Sequence, residues 1–196
     1  MNTKELILKV SKEEFISKGF NNASLRNIAA KCHISATAIY RHFKDKEEIF
    51  EEVIKPLIVH FNNMASYIEN TDIEYLKNAK VSEMWDFERE GNYHFNFLFG
   101  EYSDLVKLIV KERKEWFKSF IVNYEFDVTL KYIDSMKKEG YKINDFNLIS
   151  FRVLLDSYLE AYLNILNRDL KEEELVNICK EINSFYTLGF RNLLGF

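Results

Sequence analysis

The sequence predicts an all-α protein: an N-terminal three-helix, helix-turn-helix head followed by a C-terminal helical domain. Three observations carry this. Apolar residues recur at helical spacing between clear start and stop signals along most of the chain. One Pro and six Gly in 196 residues are too few for the turns of a sandwich or barrel. No segment alternates over the length of a strand; Phe95, Phe97 and Phe99 do alternate but stand alone.

Charge divides the chain in two. Residues 1–46 hold nine Lys/Arg and four Asp/Glu, and residues 47–196 hold 18 and 27. The head therefore carries +5 and the body −9, within an overall −4. Such an asymmetry implies that only the head meets a polyanion. The domains are read as 1–46 and 47–196. With 47% hydrophobic and 30% charged residues, the chain has the balance of a globular protein with a real core. Cys32 and Cys179 are far apart and form no C-x-x-C pattern, as expected of reduced thiols in a cytoplasmic protein. Lys4, Glu5 and Lys9 interrupt the start in a way a secretion signal does not. No stretch approaches the ~18 apolar residues of a membrane span.

Helix signals follow in order. Asn2 with Glu5 opens a first helix that stops at Gly19. Ser24 caps a short helix with Leu25, Ile28 and Ala29, and Ser35 caps another with Ile39 and Tyr40. Asp45 with Glu48 starts a longer fourth helix, which Pro56 is expected to kink or end. Thr71 with Glu74 reads as a capping box. A long helix fills roughly 110–139 and closes at Gly140. Asn144 or Asp145 opens a helix to about residue 167, and the last helix spans about 172–194.

Residues 24–43, SLRNIAAKCHISATAIYRHF, are two short helices joined by a tight turn. Small Ala29 permits close approach. Leu25, Ile28, Cys32, Ile34 and Ile39 form an inward side, leaving Ala36, Thr37, Tyr40 and Arg41 outward. In a helix-turn-helix the second helix enters the DNA major groove. Its one full charge here is Arg41, so base readout leans on Thr37, Tyr40 and contacts of Ala36 or Ala38 with thymine methyls.

The run Gly19-Phe20, Ser24 to Ala29, Ile34-Ser35, Ile39 to Phe43 and Asp45-Lys46-Glu47 resembles the TetR family of bacterial transcriptional regulators over the first ~50 residues. Three positions depart from the family pattern: His33 and Thr37 stand where it has Gly, and Glu14 where the first helix carries an apolar residue. The resemblance implies phosphate contacts by Tyr40 and Lys46, base or phosphate contacts by Ser35, Ala36, Thr37 and His42, and backbone contacts by Arg26 and Asn27. Lys46, at a helix start, is expected to share an anion with free backbone N–H groups.

In the body, residues 85–132 hold 13 of the chain's 30 aromatics. They form the core, and the resemblance implies that some line an effector pocket. Trp85, Tyr93, His94, Phe97, Trp116, Phe120 and Tyr124 are the candidates. Acids among them, including Glu88, Glu90, Glu101, Asp104, Glu125 and Asp127, read as solvated outward faces; buried, they would suit a lipophilic cation. His60 and His94 lack ligand-type neighbours at helical spacing, so no metal site is expected.

The last two helices are apolar around much of their circumference, enough for one face inward and one against a partner. The resemblance implies a homodimer through both, with Leu155, Tyr158, Tyr162, Ile182, Phe185 and Tyr186 as interface candidates. Two heads about one DNA turn apart, ~34 Å, would read a near-palindrome. The chain lacks a phosphate-binding Gly loop, a nucleophile elbow and a zinc-protease motif, so no catalytic residue or cofactor is expected. The reading is a repressor released from its operator by a small apolar effector. A helical adaptor, or an enzyme without a recognisable motif, is the alternative.

Overall fold

The computed structural model describes residues 2–78, 87–166 and 168–195, with backbone only at 87–90. Among these, eight helices and no strand are found: α1 (Thr3–Lys18), α2 (Leu25–Lys31), α3 (Ala36–Ile39), α4 (Lys46–Lys77), α5 (Phe87–Phe99), α6 (Ser103–Lys138), α7 (Leu148–Leu163) and α8 (Glu172–Leu194). The alternating Phe95, Phe97 and Phe99 lie in α5. Two compact units emerge. One is Met1–Asn62 with Asp104–Arg113; the other is Asn63–Ser103 with Lys114–Phe196. The packed head is thus larger than residues 1–46, because it includes the first half of α4 and the first turns of α6.

In the head, Asn2 caps α1 through a reciprocal box with Glu5, and Gly19 ends it at φ +80°. That backbone region is nearly closed to side chains with a Cβ. Ile7, Phe15, Ile28, Ile39, Phe43, Ile49, Phe50 and Leu57 are buried. Rings of Phe15, Phe20 and Phe50 meet pairwise with centroids 5.0–5.7 Å apart. The Arg113 guanidinium lies over Phe50 at 4.9 Å and pairs with Glu47. Backbone torsions at Arg113 are non-helical (φ −146°, ψ 45°), so α6 is kinked there.

Glu14, polar where the family pattern is apolar, is fully buried. Its two carboxylate oxygens accept from Lys18 Nζ at 2.6 Å and Lys31 Nζ at 2.8 Å. The second bond ties α1 to α2. Hydrogen bonds from Lys18 and Lys31 outweigh the desolvation that opposes them and hold the carboxyl at about 2.

In the second unit, α5 packs along α8, and α7 also packs on α8. A polar network sits inside this core. Tyr158 Oη donates to Oδ1 of buried Asn183 at 2.6 Å and lies 3.3 Å from His94 Nδ1. The His94 ring stacks on Tyr162. Gly140 closes α6 as expected, with Tyr141 N–H donating to Met136 O and Gly140 N–H to Lys137 O.

Several helix boundaries differ from expectation, and α6 starts at Ser103 rather than near 110. α4 runs through Pro56, which is exposed, so the proline does not end the helix. Thr71 lies inside α4 rather than capping a new helix; its Oγ1 donates to Tyr67 O at 2.9 Å. α7 starts at Asn147, whose Oδ1 accepts from Ile149 and Ser150 N–H, because Asn144 N–H is engaged by Leu194 O.

Glu14→Gln removes the charge from both bonds and is expected to cost about 1–2 kcal/mol, since each lysine is half-exposed. The native contribution is complete above the ordinary carboxylate value of 4.5 and is lost as pH falls from there toward 2. Chemical denaturation at stepped pH checks this: the wild type loses stability across that window, and the variant follows a flatter curve there.

Candidate nucleic-acid interface

Helix α3 has only four residues, which is too short to persist alone. Three features fix it. Ser35 Oγ accepts from Ala38 N–H at 3.1 Å. Ile39 and Phe43 are buried in the head core. The turn from α2 is closed by His33 N–H to Ala30 O and Ile34 N–H to Ala29 O, with His33 left-handed at φ +56°. His thus takes the position glycine usually fills, at a cost of roughly 1 kcal/mol. α2 packs on both α1 and α3.

This frame sorts the candidate residues. Ser35, Thr37, Arg41 and His42 are exposed, Tyr40 is 57% exposed, and Ala36 is partly so. They form one contiguous stretch at and just beyond α3. Arg26 and Asn27 are exposed on α2. Ile28, Cys32 and Ile39 face inward, with Leu25 and Ile34 partly buried, as the spacing predicted. Such a display, a polar exposed helix on a buried apolar base, is what a major-groove reader needs.

Lys46 is placed differently. Its Nζ donates to the carbonyls of Phe20 (2.7 Å), Ala23 (3.1 Å) and Asn21 (3.3 Å) and lies over the Phe20 ring. All three ammonium hydrogens have acceptors, so in this conformation the side chain closes the 20–23 loop instead of reaching an anion. The helix start beside it is not open either. Asp45 Oδ1 accepts from Glu48 N–H, and Glu47 and Glu48 make the first turn acidic. Sequence spacing gives a lysine's position but not the loop carbonyls that a fold brings to it.

The effector candidates have varied surroundings. Phe97 is buried and stacks on Phe117. His94 belongs to the Tyr158–Tyr162 network, and Tyr93 meets Tyr67 edge to face. Tyr124 packs against a cluster of Leu76, Val128, Tyr132 and Met136. Trp116 is 47% exposed and stacks on Phe120. Trp85 lies outside the described residues. Of the acids, Glu101, Asp104 and Asp127 are exposed as expected, but Glu125 is partly buried. Burial, then the charge of Asp72, push its carboxyl up to about 7. Buried Asp72 escaped the sequence reading because an acid on a helix, here in IENTDIEYLK of α4, reads as solvated by default.

The dimer candidates also divide. Leu155 and Tyr162 are buried, and Tyr158 is partly buried and bonded to Asn183. Ile182 and Tyr186 are partly buried. Phe185 is 74% exposed. Residues the sequence reading left out of the interface are exposed with it: Ile149 (76%), Leu148, Val153 and Leu154 on α7, and Leu188 on α8. A helix apolar all round does not reveal which half is inward.

Fold and display together define a helix-turn-helix DNA-binding protein. Comparison with known proteins shows what the chain is similar to. The pattern of bacterial regulatory proteins, tetR family, matches residues 7–53. QacR, an HTH-type transcriptional regulator of Staphylococcus aureus, is 28% identical over 169 residues, covering 76% of this chain and 79% of that protein. BepR, an HTH-type transcriptional repressor of Brucella suis, is 38% identical over 52 residues, a quarter of each chain. A Mesorhizobium loti protein solved as a TetR-family transcriptional regulator shares the fold, with a TM-score of 0.53, 18% identity and coverage of 95% and 96% of the two chains. Over residues 7–53 the chain carries the tetR-family pattern, and it is a DNA-binding transcriptional regulator.

Lys46→Met and Arg41→Ala separate support from contact. Lys46→Met is expected to lower the melting temperature, since it frees three carbonyls at about 1 kcal/mol each at most. Arg41→Ala leaves stability unchanged but weakens operator binding and lowers the slope of log K against log salt by about one. Thermal melts and salt-titrated anisotropy check both.

Proposed function

We propose that this regulator is a repressor that binds a near-palindromic operator as a homodimer and leaves it when a small molecule binds the body. The carrying observation is the exposed stretch from Ser35 to His42, held on a buried apolar base. Thr37, Tyr40 and Ala36 are placed to read base edges, and Ser35, Arg41 and His42 to meet bases or phosphates. Arg26 and Asn27 sit on the preceding helix, where that motif crosses the backbone. Lys46 supports the head without touching DNA. Relatives named as a repressor and as regulators agree with this role.

The dimer rests on exposed apolar surface. Phe185 and Leu188 are three apart on α8, and Ile149 and Val153 four apart on α7, so each pair shares a helix face. Large apolar side chains left in water at helical spacing mark a protein interface. Gly189, beside Leu188, has nothing within 4 Å of where a Cβ would stand, so a partner helix can approach closely. Release from DNA requires that the effector bind the non-binding conformation more tightly than the binding one.

A DNA fragment from the gene's own upstream region is expected to shift in a salt-sensitive manner. Phe185→Glu is expected to weaken dimerisation at least about tenfold, as loss of a central aromatic does. Operator affinity falls with it while the head remains folded. Sedimentation and gel shift check the pair; a monomeric wild type that still protects two half-sites contradicts the dimer.

A further inference from the structure

Phosphate contacts fix a helix-turn-helix head on DNA, while base contacts read the sequence. The cations of this head divide by how their charge is used. Lys46 Nζ is saturated by three loop carbonyls, and Lys18 and Lys31 are paired with buried Glu14. Each of the three is already engaged within the head. Lys4, in the first turn of α1, is held differently. It is exposed, and its Nζ lies 5.3 Å from the centroid of the Phe43 ring. A ring face attracts a cation without taking up its N–H groups as carbonyls do, so the ammonium is oriented while its donors stay available.

No acid cancels that charge. Lys4 has no carboxylate partner among the described residues. Its neighbour Glu5 turns back on the helix start, where its two oxygens accept from Asn2 Nδ2 at 2.9 Å and from Asn2 N–H at 3.0 Å.

The start of α1 also meets both ends of the recognition segment. Leu6 O lies 3.9 Å from Sγ of Cys32, which precedes the His33 turn. Lys4 reaches Phe43, which follows exposed Arg41 and His42. A helix seated in the major groove nearly fills its width of about 12 Å. A cation standing just past the end of such a helix therefore meets the phosphates of the groove wall rather than base edges.

We propose that Lys4 is a phosphate-anchoring residue that holds the DNA backbone beside the C-terminal end of the recognition segment, so that each head grips DNA from α1 as well as from α2 and α3. This rests on the reading of Ser35 to His42 as the DNA-contacting stretch and adds to it a contact from the first helix. Lys4 contributes affinity and orientation but no sequence preference.

Salt-titrated fluorescence anisotropy on the full-length protein tests it, with two labelled duplexes: the fragment from the gene's own upstream region and a scrambled duplex of the same length. Lys4→Gln is expected to lower the slope of log K against log salt by about one per head and to weaken both duplexes by the same factor, severalfold near physiological salt. Lys4→Arg keeps the charge and is expected to bind as wild type does. Lys9→Gln, five residues on and so on another face of α1, controls for overall charge and leaves the slope unchanged. A slope unmoved by Lys4→Gln overturns the proposal even where the melting temperature or the affinity falls, because Lys4 would then only support Phe43. Equal loss of slope from Lys4→Gln and Lys9→Gln overturns it too, as does a loss confined to the upstream fragment. Arg41→Ala in the same assay keeps the two readings apart. If it lowers the slope and Lys4→Gln does not, the α1 contact alone fails; if neither does, the recognition stretch fails with it.

Discussion

Four residues, Ala36–Ile39, cannot hold a helix in water by their own hydrogen bonds. The proposed DNA-reading surface therefore depends on tertiary support from below. Ile39 and Phe43 are buried in the head, which also encloses the Phe15–Phe20–Phe50 rings. The turn before α3 is locked by two backbone bonds around His33. Without this burial Thr37, Tyr40 and Arg41 would have no fixed spacing, and base readout requires fixed spacing more than it requires charge.

Formal charge overstates what the head presents. Lys18 and Lys31 pair with buried Glu14, and Lys46 closes a loop on three carbonyls. Outside these contacts Lys4, Lys9, Arg26, Arg41 and Lys44 are exposed. Three of the basic side chains thus organise the helices, and fewer than the formal count are left to face phosphate. The same economy of polar groups holds in the body, where the Tyr158–Asn183 bond fixes α7 against α8 and leaves Phe185 and Ile149 outside.

Where sequence signals are local, they matched the structure closely. Asn2, Gly19, Ser35, Gly140 and the limits of α8 act through bonds to residues within a turn, so their types alone set helix ends. Signals that depend on distant neighbours did not read through. Thr71 has the sequence of a cap but bonds back within an unbroken helix. Asn144 is taken by Leu194, fifty residues on, which moves the start of α7. Lys46 carries the family's motif position, yet its acceptors lie on another loop. Tyr162 and Phe185 are both aromatic on apolar helices, and only packing shows that one is core and the other surface. Asp72 and Glu125 are ordinary acids in sequence; their burial comes from the approach of α4 and α6.

The central proposal is that one supported stretch, Ser35 to His42, is the DNA-contacting surface of this regulator. Backbone amide NMR of the isotope-labelled protein titrated with an operator duplex tests it most directly. The account predicts that amides from Ser35 to His42, with Arg26 and Asn27, shift strongly, while the amide of Lys46 and those of the buried α1 residues Ile7 to Phe15 move little. Strong shifts centred on residues 44–48, with Thr37 and Tyr40 unmoved, would contradict it.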